Sequence, residues 1–207
     1  MQNRIPFFSL KLVYIEGNLI SATLDGKDLE FFDVLDENGQ KTGKIKERSL
    51  VHEDGDIHGT VHIWIRRKTE KGYDVLLQKR SMEKDSFPGC YDISSAGHIS
   101  AGDEPLESAI RELSEELGIH ATKDDLKYVG THEGIATGHF HGRDFKNHEI
   151  SSVYIYEEPV DIDKLKLQTD EVEDVIWIDF DELLAKIKNR EIKHCLFLDE
   201  LDRISTY

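Results

Sequence analysis

Apolar and polar residues alternate over residues 9 to 25 around Glu16-Gly17-Asn18, a period of two that predicts a β-hairpin. The same period returns in "LEFFDVLDENGQKTGKI", which predicts a strand, an Asn38-Gly39 turn and a second strand. "GTVHIWIRR" and "YDVLLQKR" are β-rich runs on either side of the polar turn "KTEKG". After the loop "SMEKDSFPGC", a short strand is expected over 91 to 96. Further strands are expected over 126 to 137 and 150 to 158, with the charged segment "GHFHGRDFKNH", residues 138 to 148, between them. "VEDVIWIDF" reads as a strand leading into a helix near 180 to 189, and a last helix is expected to begin near Lys193.

One stretch changes period. Leu106, Ala109, Ile110, Leu113 and Leu117 recur three or four apart and form the apolar stripe of a helix. Asp103 or Glu104 serves as its cap, Pro105 falls in its first turn and Gly118 lies just past its end. Strands mixed with few helices predict an α/β (α+β) layered domain. The expected division is a small N-terminal β extension over 1–29 and a main domain over 30–207.

Charge narrows the partners. Lys+Arg 26 against Asp+Glu 42 leaves the 207-residue chain at −16, which disfavours nucleic acid and anionic membrane surfaces. No apolar run is long enough for a membrane span, and no signal-peptide layout opens the sequence. Cys90 and Cys195 show no metal-pair or disulfide spacing, so a reduced cytoplasmic setting is expected. A small-molecule partner is the expectation that remains.

The predicted helix carries Glu112, Glu115 and Glu116 near its C-terminus. That end is the negative pole of the helix, so each exposed anion there costs roughly 0.3–1 kcal/mol, and like charges three and four apart repel further. Three carboxylates at i, i+3 and i+4 converge from adjacent turns, an arrangement suited to a hard divalent cation. The ordinary alternative is a solvated acidic face.

Read in full, Gly97, five residues, Asp103, seven residues, and then Arg111-Glu112-Leu113-x-Glu115-Glu116-x-Gly118-Ile119 resembles the Nudix box, with Asp103 in place of the family's Glu. The resemblance implies a Nudix-type α/β/α sandwich with a mixed sheet, and hydrolysis of a diphosphate linked to another group. It also implies Mg²⁺ or Mn²⁺ held by Glu112, Glu115 and Glu116, with Arg111 orienting a glutamate and Gly97 shaping the site. Homodimerisation, common among soluble proteins and in this family, is expected as well.

A second resemblance covers about Glu30 to residue 183. "HGTVHIWI", "LLQKRSMEKDSFPGCYDISSAGH" and "KNHEI" are similar to the Nudix branch related to type I isopentenyl-diphosphate isomerases. By that resemblance Arg80 and Lys84 hold a substrate diphosphate. His52, His58, His98 and Glu149 approximate an additional metal site, with Glu149 a ligand or base and Asn147 standing where the isomerases carry another glutamate. The isomerases place a catalytic cysteine directly before the Gly-His pair, and this chain has Ala96 there. Alanine exchanges no proton, so hydrolysis is favoured over isomerisation.

The ordinary readings stand beside these. His58 and His62 suit hydrogen-bonded packing, His52 a loop, Arg80 and Lys84 surface charge, and Cys90 and Trp64 core packing. Residues 138 to 148 read as a substrate-selecting loop or a plain connection. The leading expectation is a hydrolase of nucleoside diphosphate derivatives or other X-linked diphosphates, prenyl diphosphates among them. The alternatives are isopentenyl-diphosphate isomerase and a non-catalytic Nudix ligand-binding module.

Overall fold

The structure is a computed structural model that describes residues 10–15, 18–24, 27–84, 86–140 and 143–207, with backbone alone at 10–28 and 139–144 within those spans. β1 (Leu10–Ile15), β2 (Asn18–Leu24) and β3 (Lys27–Leu29) form an antiparallel three-stranded sheet. The hairpin expected over 9 to 25 is therefore present as β1 and β2, while its Glu16-Gly17 turn and the opening nine residues lie outside the described residues.

The larger sheet is organised around β6 (His58–Thr69). On one side β6 pairs in parallel with β11 (Arg143–Tyr156), which pairs with β10 (Leu126–Phe140). Elsewhere it meets β4 (Phe31–Leu35), β7 (Gly72–Arg80) and β9 (Ser95–His98), all antiparallel. β5 (Lys41–Glu47) extends the sheet beyond β4, and β8 (Tyr91–Asp92) and β12 (Val172–Asp179) join β7. One parallel pairing among antiparallel ones makes the sheet mixed.

Because strand side chains alternate, β6 feeds two cores. Val61, Ile63 and Ile65 pack with Ala109, Leu113 and Leu117 of α2 (Pro105–Leu117). Trp64, on the opposite face, packs with Leu183 of α3 (Phe180–Lys188) and Leu201 and Ile204 of α4 (Leu198–Thr206). These side chains are almost wholly buried, the valine, leucine and isoleucine ones each worth roughly 1.5–3 kcal/mol of apolar transfer. The sheet lies between α2 and the α3/α4 pair, the expected α/β/α sandwich. Among the described residues no helix is long and apolar enough to cross a membrane.

Several local expectations need correction. Residues 48–54 fold into a helix, α1 (Arg48–Asp54), capped by the Glu47 carboxylate and closed by Gly55 at φ 78°. Seven residues are too few to display an apolar stripe, so His52 sits on a helix and not in a loop. The segment 138 to 148 is largely a continuation of β10 and β11, whose pairing runs from Leu126–Tyr156 to Phe140–Arg143, with 141 and 142 outside the described residues. Backbone pairing sustains that ladder where side-chain pattern gave no strand signal. The short strand near 91 to 96 is two strands, β8 and β9. The last helix begins at Leu198, because Lys193 and Cys195 are first engaged in backbone hydrogen bonds to Tyr91. Glu104 occupies the N-cap of α2 without making a side-chain cap.

Candidate active site

α2 ends at Gly118 in the left-handed region, φ 71°, and its last turns lie against β9. Glu112 and Glu116 face inward and are buried, while the Glu115 side chain is about half exposed. Arg111 spans the group: its guanidinium lies 2.8 Å from Glu112 Oε1 and 2.8 Å from Glu115 Oε2, and it donates to the His98 carbonyl at 3.0 Å. Glu116 Oε2 accepts from the Ala96 amide at 3.2 Å and from Gln78 Nε2 at 3.4 Å. Burial pushes Glu112 up to about 7, against the pull of Arg111, and Glu116 up to about 8. A nearby cation would favour the ionised form of both.

The second group lies at the end of the sheet where β4, β6, β9 and β11 meet. One ligand atom each from His52, His58, His98 and Glu149 falls within 4.8 Å of all the others. His52 Nδ1 lies 2.9 Å from the Arg48 carbonyl and His58 Nδ1 lies 3.0 Å from the Asp56 carbonyl. A carbonyl accepts only, so each ring carries a proton on Nδ1, and in the neutral form its lone pair is on Nε2. His58 Nε2 and His98 Nε2 are buried without a hydrogen-bond partner, and Glu149 Oε1 lies 3.7 and 3.6 Å from them. Phe32 stacks on His98 at 4.6 Å and on His58 at 5.4 Å between ring centroids, fixing both planes.

Burial drives His98 well below its ordinary value and lowers His52 as well. Burial also pushes Glu149 upward, but His58 and His98 beside it, when protonated, outweigh this and lower it. Unpartnered imidazole nitrogens facing one ionised carboxylate form a donor set that fits a divalent transition ion. His58 packs against the Phe32 ring while its Nε2 has no hydrogen-bond partner. Asn147, in the place of the missing glutamate, also has a buried Oδ1 without a partner.

Both groups open onto one cleft of about 1680 Å³. Arg80 and Lys84 line it too, but neither is a bare surface cation. Arg80 Nη1 pairs with Asp92 at 2.9 Å and its Nη2 donates to the Ser86 carbonyl at 2.9 Å, while Lys84 pairs with Glu171. Asp103 stands apart from the glutamates, with Lys41 donating to its carbonyl at 3.2 Å. Cys90 is buried and Trp64 wholly buried, as packing residues should be. Sequence reasoning missed Glu200: its carboxylate meets His62 Nδ1 at 2.5 Å and Trp64 Nε1 at 2.9 Å from 138 and 136 residues away. No spacing signal spans such a separation.

A mixed sheet sandwiched by helices thus carries a glutamate-bearing helix end and an imidazole cluster on one cleft. The NUDIX domain family matches residues 56–198, and the chain belongs to the Nudix hydrolase family. It is 45% identical over 157 residues to Nudix hydrolase 3 of Arabidopsis thaliana, covering 74% of this chain but only 20% of that protein. It is 38% identical over 161 residues to an uncharacterised Nudix hydrolase of Clostridium acetobutylicum, covering 78% of this chain and 75% of the relative. An isopentenyl-diphosphate Δ-isomerase of Dinoroseobacter shibae is similar at a lower 29% identity over 151 residues, 71% of this chain and 78% of that one. Among solved structures, a Deinococcus radiodurans protein superposes with a TM-score of 0.62 at 19% identity, covering 86% of this chain and all of the other, a likeness of fold.

Proposed function

We propose that this chain is a metal-dependent hydrolase of a diphosphate linkage in a nucleoside diphosphate derivative or another X-linked diphosphate, prenyl diphosphates included. The observation that carries the reading is the placement of Glu112 and Glu116, buried and raised to about 7 and 8, on the same cleft as the His52, His58, His98 and Glu149 cluster. Glu112, Glu115 and Glu116, with the Gly97 carbonyl, would hold Mg²⁺ or Mn²⁺. The three histidines with Glu149 and the Asn147 oxygen would hold a second ion, for which imidazole donors favour Mn²⁺ over Mg²⁺. Such ions neutralise phosphate oxygens and lower the pKa of bound water.

The chain's own residues divide the remaining work. Arg111 holds Glu112 and Glu115 in place from one guanidinium. Arg80 and Lys84 supply local positive charge in a strongly acidic protein, and a diphosphate oxygen competes with Glu171 for Lys84. Isomerase chemistry is disfavoured by Ala96, which offers no proton where the related isomerases place a thiol.

The test is a turnover screen with Mg²⁺ and with Mn²⁺ across nucleoside di- and triphosphates, nucleotide sugars, dinucleotides and prenyl diphosphates, run beside Glu116→Gln. Turnover that falls at least 100-fold in the variant is expected, within the range that electrostatic groups of this kind contribute. Equal turnover in the variant overturns the reading.

A further inference from the structure

A line of hydrogen bonds leaves the cleft and ends on a carboxylate that the hydrolytic reading does not use. Thr60 Oγ1 and Ser151 Oγ are 2.7 Å apart, Ser151 Oγ lies 3.2 Å from His62 Nε2, and His62 Nδ1 lies 2.5 Å from Glu200 Oε1. Thr60 and His62 line the cleft, although each is more than nine-tenths buried, and Ser151 and Glu200 are fully buried. Thr60 is the cross-strand partner of His98, and Ser151 follows Glu149 on the same face of β11. The line therefore starts beside the imidazole cluster. Glu200 lies beyond residue 198, where the family match ends, so the carboxylate falls outside the matched residues.

The direction of each bond follows from Glu200. Its second oxygen takes the Trp64 indole proton, and against burial His62 and Trp64 together hold the carboxyl below its ordinary value, so it is ionised and accepts at both oxygens, and His62 Nδ1 carries the hydrogen. In neutral His62 the lone pair is then on Nε2 and accepts from the Ser151 hydroxyl. Ser151 in turn accepts from Thr60, which leaves the Thr60 oxygen free to accept from a molecule in the cleft.

We propose that Thr60, Ser151 and His62 form a proton path from the attacking water to an imidazole anchored by Glu200. This rests on the hydrolase reading. Water gives a proton to Thr60 Oγ1, Thr60 passes its own to Ser151, and Ser151 passes its own to His62 Nε2. The hydroxide so formed bonds to phosphorus, the bridging P–O bond breaks, and its electron pair leaves on the departing oxygen. His62 becomes the imidazolium that Glu200 stabilises. Glu200 acts only through His62 and is a positioning residue.

The surroundings favour that imidazolium. Burial pulls His62 down, but Glu200 outweighs it and the net direction is upward. Glu149 from β11 and Asp92 from β8 reinforce this. His132 from β10 lies 6.1 Å away between ring centroids and is itself paired with Asp199 of α4 at 2.7 Å.

The experiment uses the full chain with whichever substrate the screen returns. Thr60→Val and Ser151→Ala are each expected to lower kcat about 100-fold, the lower range for general-base catalysis, with KM little changed. Thr60→Ser, which restores a hydroxyl, is expected to recover most of the loss. Glu200→Gln is expected to move the rising limb of the kcat–pH profile to lower pH, a displacement that a purely structural role does not produce. Full kcat in Thr60→Val beside an inactive Glu116→Gln overturns the path and leaves the hydrolase standing. Full kcat in both overturns the hydrolase reading and the path with it. Independently of any substrate, nitrogen NMR of the Mg²⁺-supplemented protein is expected to place the proton of neutral His62 on Nδ1. Finding it on Nε2 overturns the proposal.

Discussion

Gly97 and Glu112 occupy one space: a Cβ built on Gly97 would come within 2.1 Å of the Glu112 carboxyl carbon and 2.2 Å of its Oε1. The backbone of β9 and the end of α2 approach this closely only because residue 97 has no side chain. The glycine that opens the sequence motif is thus the seat of the motif's first glutamate, and its role here is room and not a left-handed turn.

Gly97→Ala is accordingly expected to displace Glu112 and break its contact with Arg111. The carboxylate is the free end of a flexible side chain, so the fold should survive with a loss of about 1–3 kcal/mol, the range for modest overpacking. Activity should fall much further than stability. Thermal melting alongside kcat checks this, and an active alanine variant would contradict it.

The stability of the metal-free protein should depend on pH through Glu112 and Glu116. Their folded values, about 7 and about 8, exceed the ordinary 4.5, so the stability linked to these groups is fully present below pH 4.5 and is lost as pH rises through 7 and 8. Melting temperature in a chelator is expected to fall across that window, and Mg²⁺ is expected to restore it. Glu116→Gln should melt higher than the parent at pH 8 without metal and respond less to Mg²⁺. A flat profile in chelator would refute this account.

His58→Gln and Glu149→Gln should each reduce the tightly bound Mn²⁺ by about one ion per chain, because each removes one of four converging donors. Elemental analysis after dialysis measures it. Unchanged metal content in both variants would show that the cluster holds no ion.

Incubation with isopentenyl diphosphate in deuterated water should leave carbon-bound deuterium at background, since Ala96 provides no exchangeable proton and the neighbouring Cys195 thiol is pushed far above its ordinary value by burial. Mass spectrometry of the recovered compound decides it, and deuterium on carbon would restore the isomerase alternative.

Much of this molecule was legible in the linear chain. The period-two runs that became β4 to β7, the apolar stripe of α2 and the Glu112, Glu115 and Glu116 spacing are local patterns, set by side chains within a few residues of one another. The resemblance of the motif also pointed to His52, His58, His98 and Glu149 as a group, which the structure gathers within 4.8 Å. α1 escaped notice because seven residues hold too little periodicity, and the long β10–β11 ladder because backbone pairing requires no apolar pattern.

Tertiary structure alone decided what those residues experience. The sequence lists three glutamates without distinction, but packing against β9 buries Glu112 and Glu116 and leaves Glu115 half in solvent. It offers Arg80 and Lys84 as cations, but folding supplies Asp92 and Glu171 as their partners. It gives no reason to connect His62 with Glu200, which meet only because α4 returns across the Trp64 face of the sheet. Desolvation, charge pairing and hydrogen-bond direction depend on distance in space, and chain separation carries none of that information.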